Sequence, residues 1–415
     1  MTDPAGNARA AQRAAMRAGG DLRSAALLAL DGLLDARRDA IDAANQADLV
    51  AAKAADLDGP LLDRLALSPT KLDVLRGGVR DLASRPDPVG AVRRHTRLDD
   101  GLELRLVSSP LGVLLIVFES RPDAVIQIGS LAMRSGNAVL LKGGSEASAT
   151  NRVLVQCLRD ALQSVGLPSD LVIGVEGRAA VGELLTRDDA IDLVIPRGSG
   201  KLVRTITDST RIPVLGHAEG VCHVYLDAGA DPHKAARIVV DGVTDYPAAC
   251  NATETILVHR DFVAQFQGVR EALLTSDGAL VEPSTDADWG TEYGTKTANV
   301  RIVDSLDEAI DHIHTYGSGH TDAIVTEDEH AARRFLAEVD SASVVHNAST
   351  RFADGYRYGL GAEVGIATGR LHARGPVGVD GLLTTRWLLQ GGGHIVSEYS
   401  RGERSFSWAD LLDPS

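Results

Sequence analysis

Hydrophobic residues in the first hundred positions recur every three or four residues. Leu27, Leu30, Leu34 and Ile41 share one such stripe, and the segment from Leu72 to Leu82 repeats the pattern. This is the period at which side chains return to the same face of an α-helix. The N-terminal quarter of the chain is therefore predicted to be helical.

Alternation of apolar and polar residues replaces this period at 94–108, on either side of the turn sequence Asp99, Asp100 and Gly101. Alternation is typical of a strand with one buried face, and the turn at its centre predicts a β-hairpin. From about Gly381 the chain is predicted to return as a strand and a helix, with a glycine hinge.

From Leu111 onward the pattern changes to short, continuous apolar runs separated by helical segments or glycine-rich turns. Strands buried on both faces need apolar residues at every position, so such runs predict a parallel, doubly wound sheet. The first series lies at 113–118, 138–142, 171–175, 191–196, 212–215 and 223–226. A second series, at 254–259, 298–303, 323–326 and 342–346, predicts a smaller α/β domain.

Three parts are predicted along the chain. Residues 1–228 combine the N-terminal helices with the first α/β domain, residues 229–365 form the smaller one, and residues 366–415 return as a separate segment. A length of 415 residues supports at least two compact domains. Hydrophobic residues make up 44% of the chain and aromatic residues only 4%, which favours α/β cores built from Ala, Val, Leu and Ile.

Charge and cysteine content exclude several classes of function. A formal net charge of −15 argues against a nucleic-acid surface. The longest apolar run, Leu111–Phe118, is too short to span a bilayer, and the first twenty residues lack the features of a signal peptide. Three widely spaced cysteines form neither a disulfide framework nor a metal pattern. We therefore expect a cytoplasmic protein without a structural metal.

Two glycine-rich turns follow predicted strands. In "PRGSGK" (196–201) a turn leads into a predicted helix, whose free N–H groups would attract an anion. It is not a Walker A loop, because Ile195 and Leu202 stand where Gly and Ser or Thr are required. In "LLKGGSEAS" (140–148) Lys142 ends a strand, where α/β sheets bind ligands. Phosphate binding and an ordinary turn remain open at the first turn, and ligand binding and a solvated lysine that caps the strand remain open at the second.

In "FESRPDA", Glu119, Ser120 and Arg121 directly follow the predicted strand at 113–118, and Pro122 stands at the start of a predicted helix. An arginine held there can bind a phosphate or a carboxylate through two hydrogen bonds. The alternative is that these charged residues only solvate the surface.

Cys250 lies in "DYPAACNA", a loop that precedes a strand-like run, and such a position suits an exposed nucleophile. Cys157 and Cys222 fall on apolar segments and are predicted to be core residues. The histidines His312, His314 and His320 cluster without metal spacing and are predicted to be structural or surface residues. There is no G-x-S-x-G motif of a serine hydrolase.

Together these motifs resemble the γ-glutamyl phosphate reductase family of the aldehyde dehydrogenase superfamily, and also the reductase half of fused Δ1-pyrroline-5-carboxylate synthetases. The resemblance runs from about residue 104 to 390. The stretches that carry it are "PLGVLLIVFESRPDAVIQIGSLAMRSGNAVLLKGGSEA", "DLVIPRGSGKLV", "IPVLGHAEGVCHVYLD", "DYPAACNATETILVH", "EYG", "YGSGHTDAIVTED" and "GLGAEVGIATGRLHARGPVG".

The resemblance implies an aldehyde dehydrogenase-like α/β fold and catalysis by a cysteine. Cys250 would attack L-glutamyl 5-phosphate, expel phosphate and form a thioester. NADPH would then reduce the thioester to L-glutamate 5-semialdehyde, an intermediate of proline biosynthesis. The oxyanion would be bound by the Cys250 N–H, with Ser120, Arg121 and Asn251 beside the substrate. Gly216 stands where hydrolytic relatives carry a catalytic Glu, which fits a thioester that must survive until it is reduced.

The resemblance also implies an NADPH-binding site. Lys142 would reach the adenosine ribose, and Ser145 replaces the Glu of NAD-preferring relatives, leaving room for a 2′-phosphate. Gly198, Ser199 and Gly200 would contact the pyrophosphate, and Glu292 would bind the nicotinamide ribose.

One departure concerns the substrate. Val243 stands where the family commonly has Lys, so reduction of a different acyl phosphate or aldehyde is the alternative hypothesis. A non-catalytic nucleotide-binding scaffold is a third. Because the chain lacks a kinase half, a separate glutamate 5-kinase would supply the substrate. The hairpin at 94–108 and the C-terminal strand resemble elements through which such enzymes form homodimers or homotetramers.

Overall fold

The computed structural model describes residues 3–57, 59–216, 219–281 and 285–412. They form two compact units. Unit 1 comprises residues 1–195, 210–213 and 378–415, and unit 2 comprises residues 196–209 and 214–377. These limits differ from the predicted boundaries after residues 228 and 365. An apolar run shows that a strand is buried without showing which sheet it joins, and this accounts for the difference.

The helices of the described residues follow in chain order: α1 Pro4–Ala15, α2 Gly20–Ala36, α3 Arg38–Ala54, α4 Gly59–Leu65, α5 Pro69–Ser84, α6 Asp123–Ser135, α7 Ser148–Ser164, α8 Arg178–Leu184, α9 Gly200–Ser209, α10 Pro232–Thr244, α11 Val263–Thr275, α12 Leu306–Tyr316, α13 Glu329–Glu338 and α14 Val396–Ser400. Helices α2 and α5 bury the predicted leucine stripes, so the helical N-terminal region is confirmed. Ser68 caps α5 by accepting the Lys71 N–H, which satisfies one free donor of the first turn.

The strands are β1 Val92–Asp99, β2 Leu102–Pro110, β3 Val113–Phe118, β4 Ala138–Lys142, β5 Val172–Gly174, β6 Leu193–Arg197, β7 Cys222–Leu226, β8 Thr253–His259, β9 Ala279–Val281, β10 Thr297–Val303, β11 Thr321–Val325, β12 Ser343–His346, β13 Ile366–Ala367, β14 Gly375–Pro376, β15 Leu383–Gln390 and β16 Ala409–Asp410. The predicted strand at 212–215 is not a regular strand, because the chain there forms bends and a single bridge.

Unit 1 contains two sheets. The predicted hairpin is confirmed: β1 and β2 pair antiparallel and form the centre of a sheet with the order β15-β2-β1-β16. The second sheet has the order β5-β4-β3-β6, in which β3 pairs parallel with β4 and β4 with β5. Every residue of β3 is buried, as a central strand covered by helices requires.

Unit 2 is built on a parallel sheet with the order β12-β11-β7-β8-β10-β9. Strand β7, assigned from sequence to the first domain, hydrogen-bonds to β8 and β11 and therefore belongs here. Residues of α10, α11 and α12 pack against this sheet and complete its apolar core. Val243 on α10 is 1% exposed and packs within this core. Along the described residues, no helix has the length and apolarity to cross a membrane.

Candidate active site

Cys250 lies in the loop at residues 245–252, between the end of α10 and the first residue of β8. Tyr246 has a left-handed φ of 53°, and its carbonyl accepts the Ala249 N–H at 3.0 Å. A second turn follows, in which Ala252 N–H donates to the Ala249 carbonyl at 2.8 Å. The thiol is thus carried by two consecutive turns and is half-buried.

Arg351 holds the N-terminal side of this loop. Its side chain is 7% exposed, its Nε donates to Asp245 at 3.3 Å, and its guanidinium lies 6.0 Å from the centre of the Tyr246 ring. A buried guanidinium that loses its carboxylate partner is strongly unfavourable, so this contact orders the residues that precede the thiol. No sequence motif marked Arg351, which lies 101 positions after Cys250 in the chain.

Asn251 holds the other side. Its amide nitrogen donates to the Ala353 carbonyl at 2.9 Å and lies 3.5 Å from the Arg351 carbonyl, while its Oδ1 is buried and accepts no hydrogen bond among the described residues. The side-chain donor expected to face the oxyanion therefore ties the loop to the segment after Thr350. This geometry assigns Asn251 to the support of Cys250.

Gly220 packs directly against the thiol residue. A Cβ added there would overlap the Cys250 carbonyl oxygen, so only glycine allows this approach. The Gly220 N–H donates to Glu292 Oε2 at 3.0 Å. The structure therefore brings together Cys250 and Glu292, two residues that the sequence analysis placed in one site.

Glu254 is the second residue of β8 and is 1% exposed. It was not identified from the sequence. Its Oε2 accepts the Tyr293 N–H at 3.1 Å, and the Gly294 N–H also points to it. Burial raises the pKa of Glu254 to about 8, and the neighbouring Glu292 charge acts in the same direction against these two donors. Glu254 thus anchors the turn that presents Glu292.

The surroundings of the thiol oppose its ionisation. Burial raises the pKa of Cys250 to about 12, and the carboxylates of Glu292 and Glu363 add to this, whereas Arg197 acts in the opposite direction. A nucleophilic cysteine is commonly activated by a positively charged neighbour. Acidic neighbours mean that Cys250 rests as a thiol, so it needs a base to become a nucleophile.

His320 is a neighbour of the thiol that sequence reasoning missed. Its ring is fully buried, and its Nε2 lies 3.2 Å from Cys250 Sγ. It directly precedes β11, and the one available signal was the "GSGH" turn that positions it at that strand's start. Cys222 and Cys157 are fully buried, which confirms them as core residues, and the Cys222 thiol donates to the Cys250 carbonyl at 3.3 Å.

Unit 1 contains a cavity of about 960 Å³ at the carboxyl ends of β3, β4 and β5. Ser120, Lys142 and Ser145 line it together with Gly143 and Gly144, so the structure brings these three predicted residues together. Ser145 is exposed and Lys142 half-buried. Arg121 is half-buried, and its carbonyl accepts the Ala124 N–H at the start of α6.

Glu146 occupies the donors of Ser120. With a left-handed φ of 41°, Ser120 donates its N–H to Glu146 Oε1 at 2.8 Å and its hydroxyl to the same oxygen at 2.6 Å. Burial of Glu146 acts to raise its pKa, but the Ser120 hydrogen bonds and the Lys142 charge outweigh it, so the pKa of Glu146 is lowered. The Ser120 side chain therefore serves the turn after β4.

The third predicted group, Gly198, Ser199 and Gly200, lies in unit 2 at the N-terminus of α9. Ser199 Oγ accepts the Leu202 N–H at 3.4 Å, and its carbonyl accepts the Val203 N–H at 3.1 Å. The predicted glycine turn into a helix is thus present. Among the described residues, no group of three or more His, Cys, Asp or Glu side chains is arranged to hold a metal ion.

Comparison with known proteins shows the enzyme superfamily to which the fold belongs. The model of the aldehyde dehydrogenase family matches residues 93–294. A crystal structure of a γ-glutamyl phosphate reductase from Thermotoga maritima superposes with a TM-score of 0.91 at 35% identity, covering 94% of this chain and 98% of that one. The α/β architecture is thus that of an aldehyde dehydrogenase-type enzyme.

Sequence relatives narrow this class. A γ-glutamyl phosphate reductase of Synechococcus sp. (strain WH7803) is 51% identical over 94% of this chain and 92% of its own length. A Δ1-pyrroline-5-carboxylate synthase of Solanum lycopersicum is 50% identical over 97% of this chain and 58% of its own length. The chain belongs to the γ-glutamyl phosphate reductase family.

Proposed function

We propose that the chain reduces L-glutamyl 5-phosphate to L-glutamate 5-semialdehyde with NADPH, releasing phosphate, as a step of proline biosynthesis. The observation that carries this proposal is Cys250, whose half-buried thiol is held in a loop supported on both sides and contacted by an imidazole. Such an arrangement suits a nucleophile that attacks an acyl phosphate and forms a thioester.

The protein groups have separate roles in this chemistry. We propose that the Cys250 N–H and Arg121 bind the developing oxyanion. The side-chain donors of Ser120 and Asn251 already donate to other protein groups. Gly216, with no side chain, cannot direct water at the thioester as a carboxylate would.

NADPH fits the residues that are present. The cavity of about 960 Å³ at the strand ends is large enough for a nucleotide and places Lys142 beside two glycines that allow close approach. NADPH, when bound, supplies the hydride. We propose that Lys142 and Ser145 hold the adenosine end, with the neutral Ser145 and the lining Arg178 favouring a 2′-phosphate. Gly198 to Gly200 would bind the pyrophosphate and Glu292 the nicotinamide ribose.

The alternative substrate hypothesis rested on Val243. That side chain is 1% exposed and packs against other apolar residues in the core of unit 2. A core position accounts for valine there by packing alone. No observation of the structure therefore favours a different acyl phosphate.

The test runs the reaction in the oxidative direction, with glutamate semialdehyde, NADP and inorganic phosphate. We expect NADP reduction that requires phosphate, that prefers NADP to NAD, and that is lost in Cys250→Ser. Cys157→Ser, at a buried thiol of α7 in unit 1, is the matched control and should retain the activity. Phosphate-independent turnover, or activity in Cys250→Ser, would contradict the proposal.

We also propose that the chain forms a homodimer or homotetramer through its antiparallel sheet. Strand β15 is an edge strand, and its Trp387, Leu388 and Leu389 are 52%, 42% and 61% exposed. An exposed apolar edge is a template for pairing with another strand. Light scattering should show that the wild type is an oligomer. The Leu389→Asp variant should dissociate more readily into smaller species.

Two further expectations concern the cellular setting. We propose a separate glutamate 5-kinase as the source of the acyl phosphate, because phosphorylation of the side-chain carboxylate of glutamate yields this substrate. Among the described residues all three cysteines are free, which agrees with our proposal of a reducing, cytoplasmic compartment.

A further inference from the structure

His320 is the only imidazole among the described residues that lies within hydrogen-bond distance of Cys250 Sγ, with its Nε2 at 3.2 Å. The ring is fully buried at the start of β11. The Cys250 loop and β11 are 70 residues apart in the chain, and the parallel pairing of β7 with both β8 and β11 brings them together.

Hydrogen bonding on the far side of the ring is compatible with the tautomer that carries its proton on Nδ1. Nδ1 lies 2.8 Å from Thr321 Oγ1, whose lone pairs can accept its N–H. The Cys222 thiol is 3.8 Å from the same nitrogen, but it donates to the Cys250 carbonyl. With the proton on Nδ1, the lone pair of Nε2 points at the Cys250 thiol.

The charged groups around the pair are mostly acidic. Glu292 and Glu363 lie near the Cys250 sulfur and Arg197 opposes them, while Asp322 lies near Cys222 on the other side of the ring. This field disfavours a free thiolate and favours a cationic imidazole, because negative charges stabilise the imidazolium and repel the sulfur anion. Proton transfer to His320 during attack avoids a long-lived thiolate.

We propose that His320 is the catalytic base that takes the proton of Cys250 as the sulfur attacks the substrate. This rests on the function proposed above. In the acylation step the S–H bond breaks toward Nε2 and the C–S bond forms at the acyl carbon. The bond from that carbon to the phosphate oxygen then breaks, and phosphate leaves with the electron pair. The imidazolium passes its proton to the departing oxygen, so phosphate leaves as HPO4²⁻ and His320 returns to its neutral form.

The experiment measures alkylation of Cys250 by iodoacetamide between pH 5 and 10, with Cys250→Ala as the baseline for the other two thiols. We expect the wild-type rate to rise through an inflection that marks the loss of the His320 proton, at lower pH than the ionisation of the thiol itself. In His320→Gln this inflection should vanish and the rate at pH 7 should fall by about 100-fold, rising only as the thiol itself ionises. Added imidazole should restore part of the rate in His320→Gly.

His312→Gln is the matched control, because His312 is a buried histidine of the same unit whose ring packs against Trp289 and Tyr316. It should keep the wild-type alkylation profile. Circular dichroism and melting of His320→Gln and His320→Asn show whether each is folded, and a folded variant with the wild-type pH profile would overturn the proposal. Alkylation needs no substrate, so failure to reduce glutamyl phosphate with an intact alkylation result would reject the proposed function alone.

Discussion

The thiol loop of unit 2 and the glycine turn after β4 in unit 1 are built on the same local device with opposite consequences. In each, the missing side chain of a glycine makes room for an oxygen. Gly220 packs against the thiol loop and leaves space for the Cys250 carbonyl, and Gly144, within the turn, leaves space for the Glu146 carboxylate. The first oxygen belongs to backbone that cannot move independently, whereas the second lies at the end of a flexible side chain. One site is therefore rigid and the other adaptable.

The buried carboxylates of the two regions also differ, in the direction in which their pKa is shifted. Glu254 in unit 2 accepts two backbone N–H groups, yet burial and the nearby Glu292 raise its pKa to about 8. Glu146 in unit 1 is half-buried and has Ser120 donors and Lys142 beside it, so its pKa is lowered. Acceptance of hydrogen bonds is insufficient to keep a carboxylate ionised when burial is complete and the nearest charge is negative.

The largest expected effect is that of Gly220→Ala. Its new methyl group would overlap the Cys250 carbonyl, and a displacement of the nucleophile by about 1 Å costs on the order of 100-fold in kcat/KM. Gly268→Ala on α11 has open space at the added atom and should raise the melting temperature slightly. Wild-type kinetics in folded Gly220→Ala would show that the thiol loop is not rigid.

Arg351→Met tests the support on the N-terminal side of the loop. It keeps the apolar stem but leaves Asp245 without its buried partner, so we expect a loss of about 1–3 kcal/mol in the free energy of unfolding. Arg357, 41% exposed and 3.8 Å from the same carboxylate, provides the control. Arg357→Met should cost less than about 1 kcal/mol in a denaturant titration, and equal losses would contradict the assignment to Arg351.

Glu254→Gln tests the raised pKa through the pH dependence of stability. Between the ordinary value of 4.5 and about 8, the unfolded chain loses this proton while the folded chain keeps it. Wild-type stability should therefore be fully supported by this group below pH 4.5 and decline toward pH 8, by at most about 1.4 kcal/mol per pH unit. Melting temperatures of Glu254→Gln should fall less over this range, and parallel curves would reject the assignment.

The smallest expected effect is that of Gly144→Ala, since the Glu146 side chain can move away from the added methyl group. Loss of the Ser120 hydrogen bonds should cost about 1 kcal/mol at neutral pH and change the KM for NADPH only a few-fold. Because Glu146 has a lowered pKa, the loss shown by Glu146→Gln should be full above pH 4.5 and shrink as the pH falls through the folded value.

The double variant distinguishes this explanation from a general disturbance of the turn. If Gly144→Ala acts only by displacing Glu146, combining it with Glu146→Gln should cost no more than the larger single change. Additive losses in melting experiments would mean that Gly144 has a second role. This result would remove the contrast with Gly220.

Much of the fold was predictable from local patterns. The leucine stripes of α2 and α5, the hairpin of β1 and β2, and the fully buried β3 follow from periods and turn residues that act over a few positions. The strand predicted at 212–215 was wrong, since a four-residue apolar run can fill a core with no more than a single bridge to another strand. The nucleophile candidate Cys250 was identified because loop, proline and strand signals lie next to it.

The sequence by itself determined the helical and strand segments, the candidate thiol, and the resemblance that named the chemistry. Tertiary structure alone decided that β7 belongs to the second sheet, that Arg351 and Gly220 support the thiol, and that His320 contacts it. The physical reason is distance along the chain. Periodicity and turn chemistry report on neighbours within a few residues, whereas sheet pairing brings together side chains 70 or more positions apart, and only that pairing places an imidazole 3.2 Å from Cys250 Sγ.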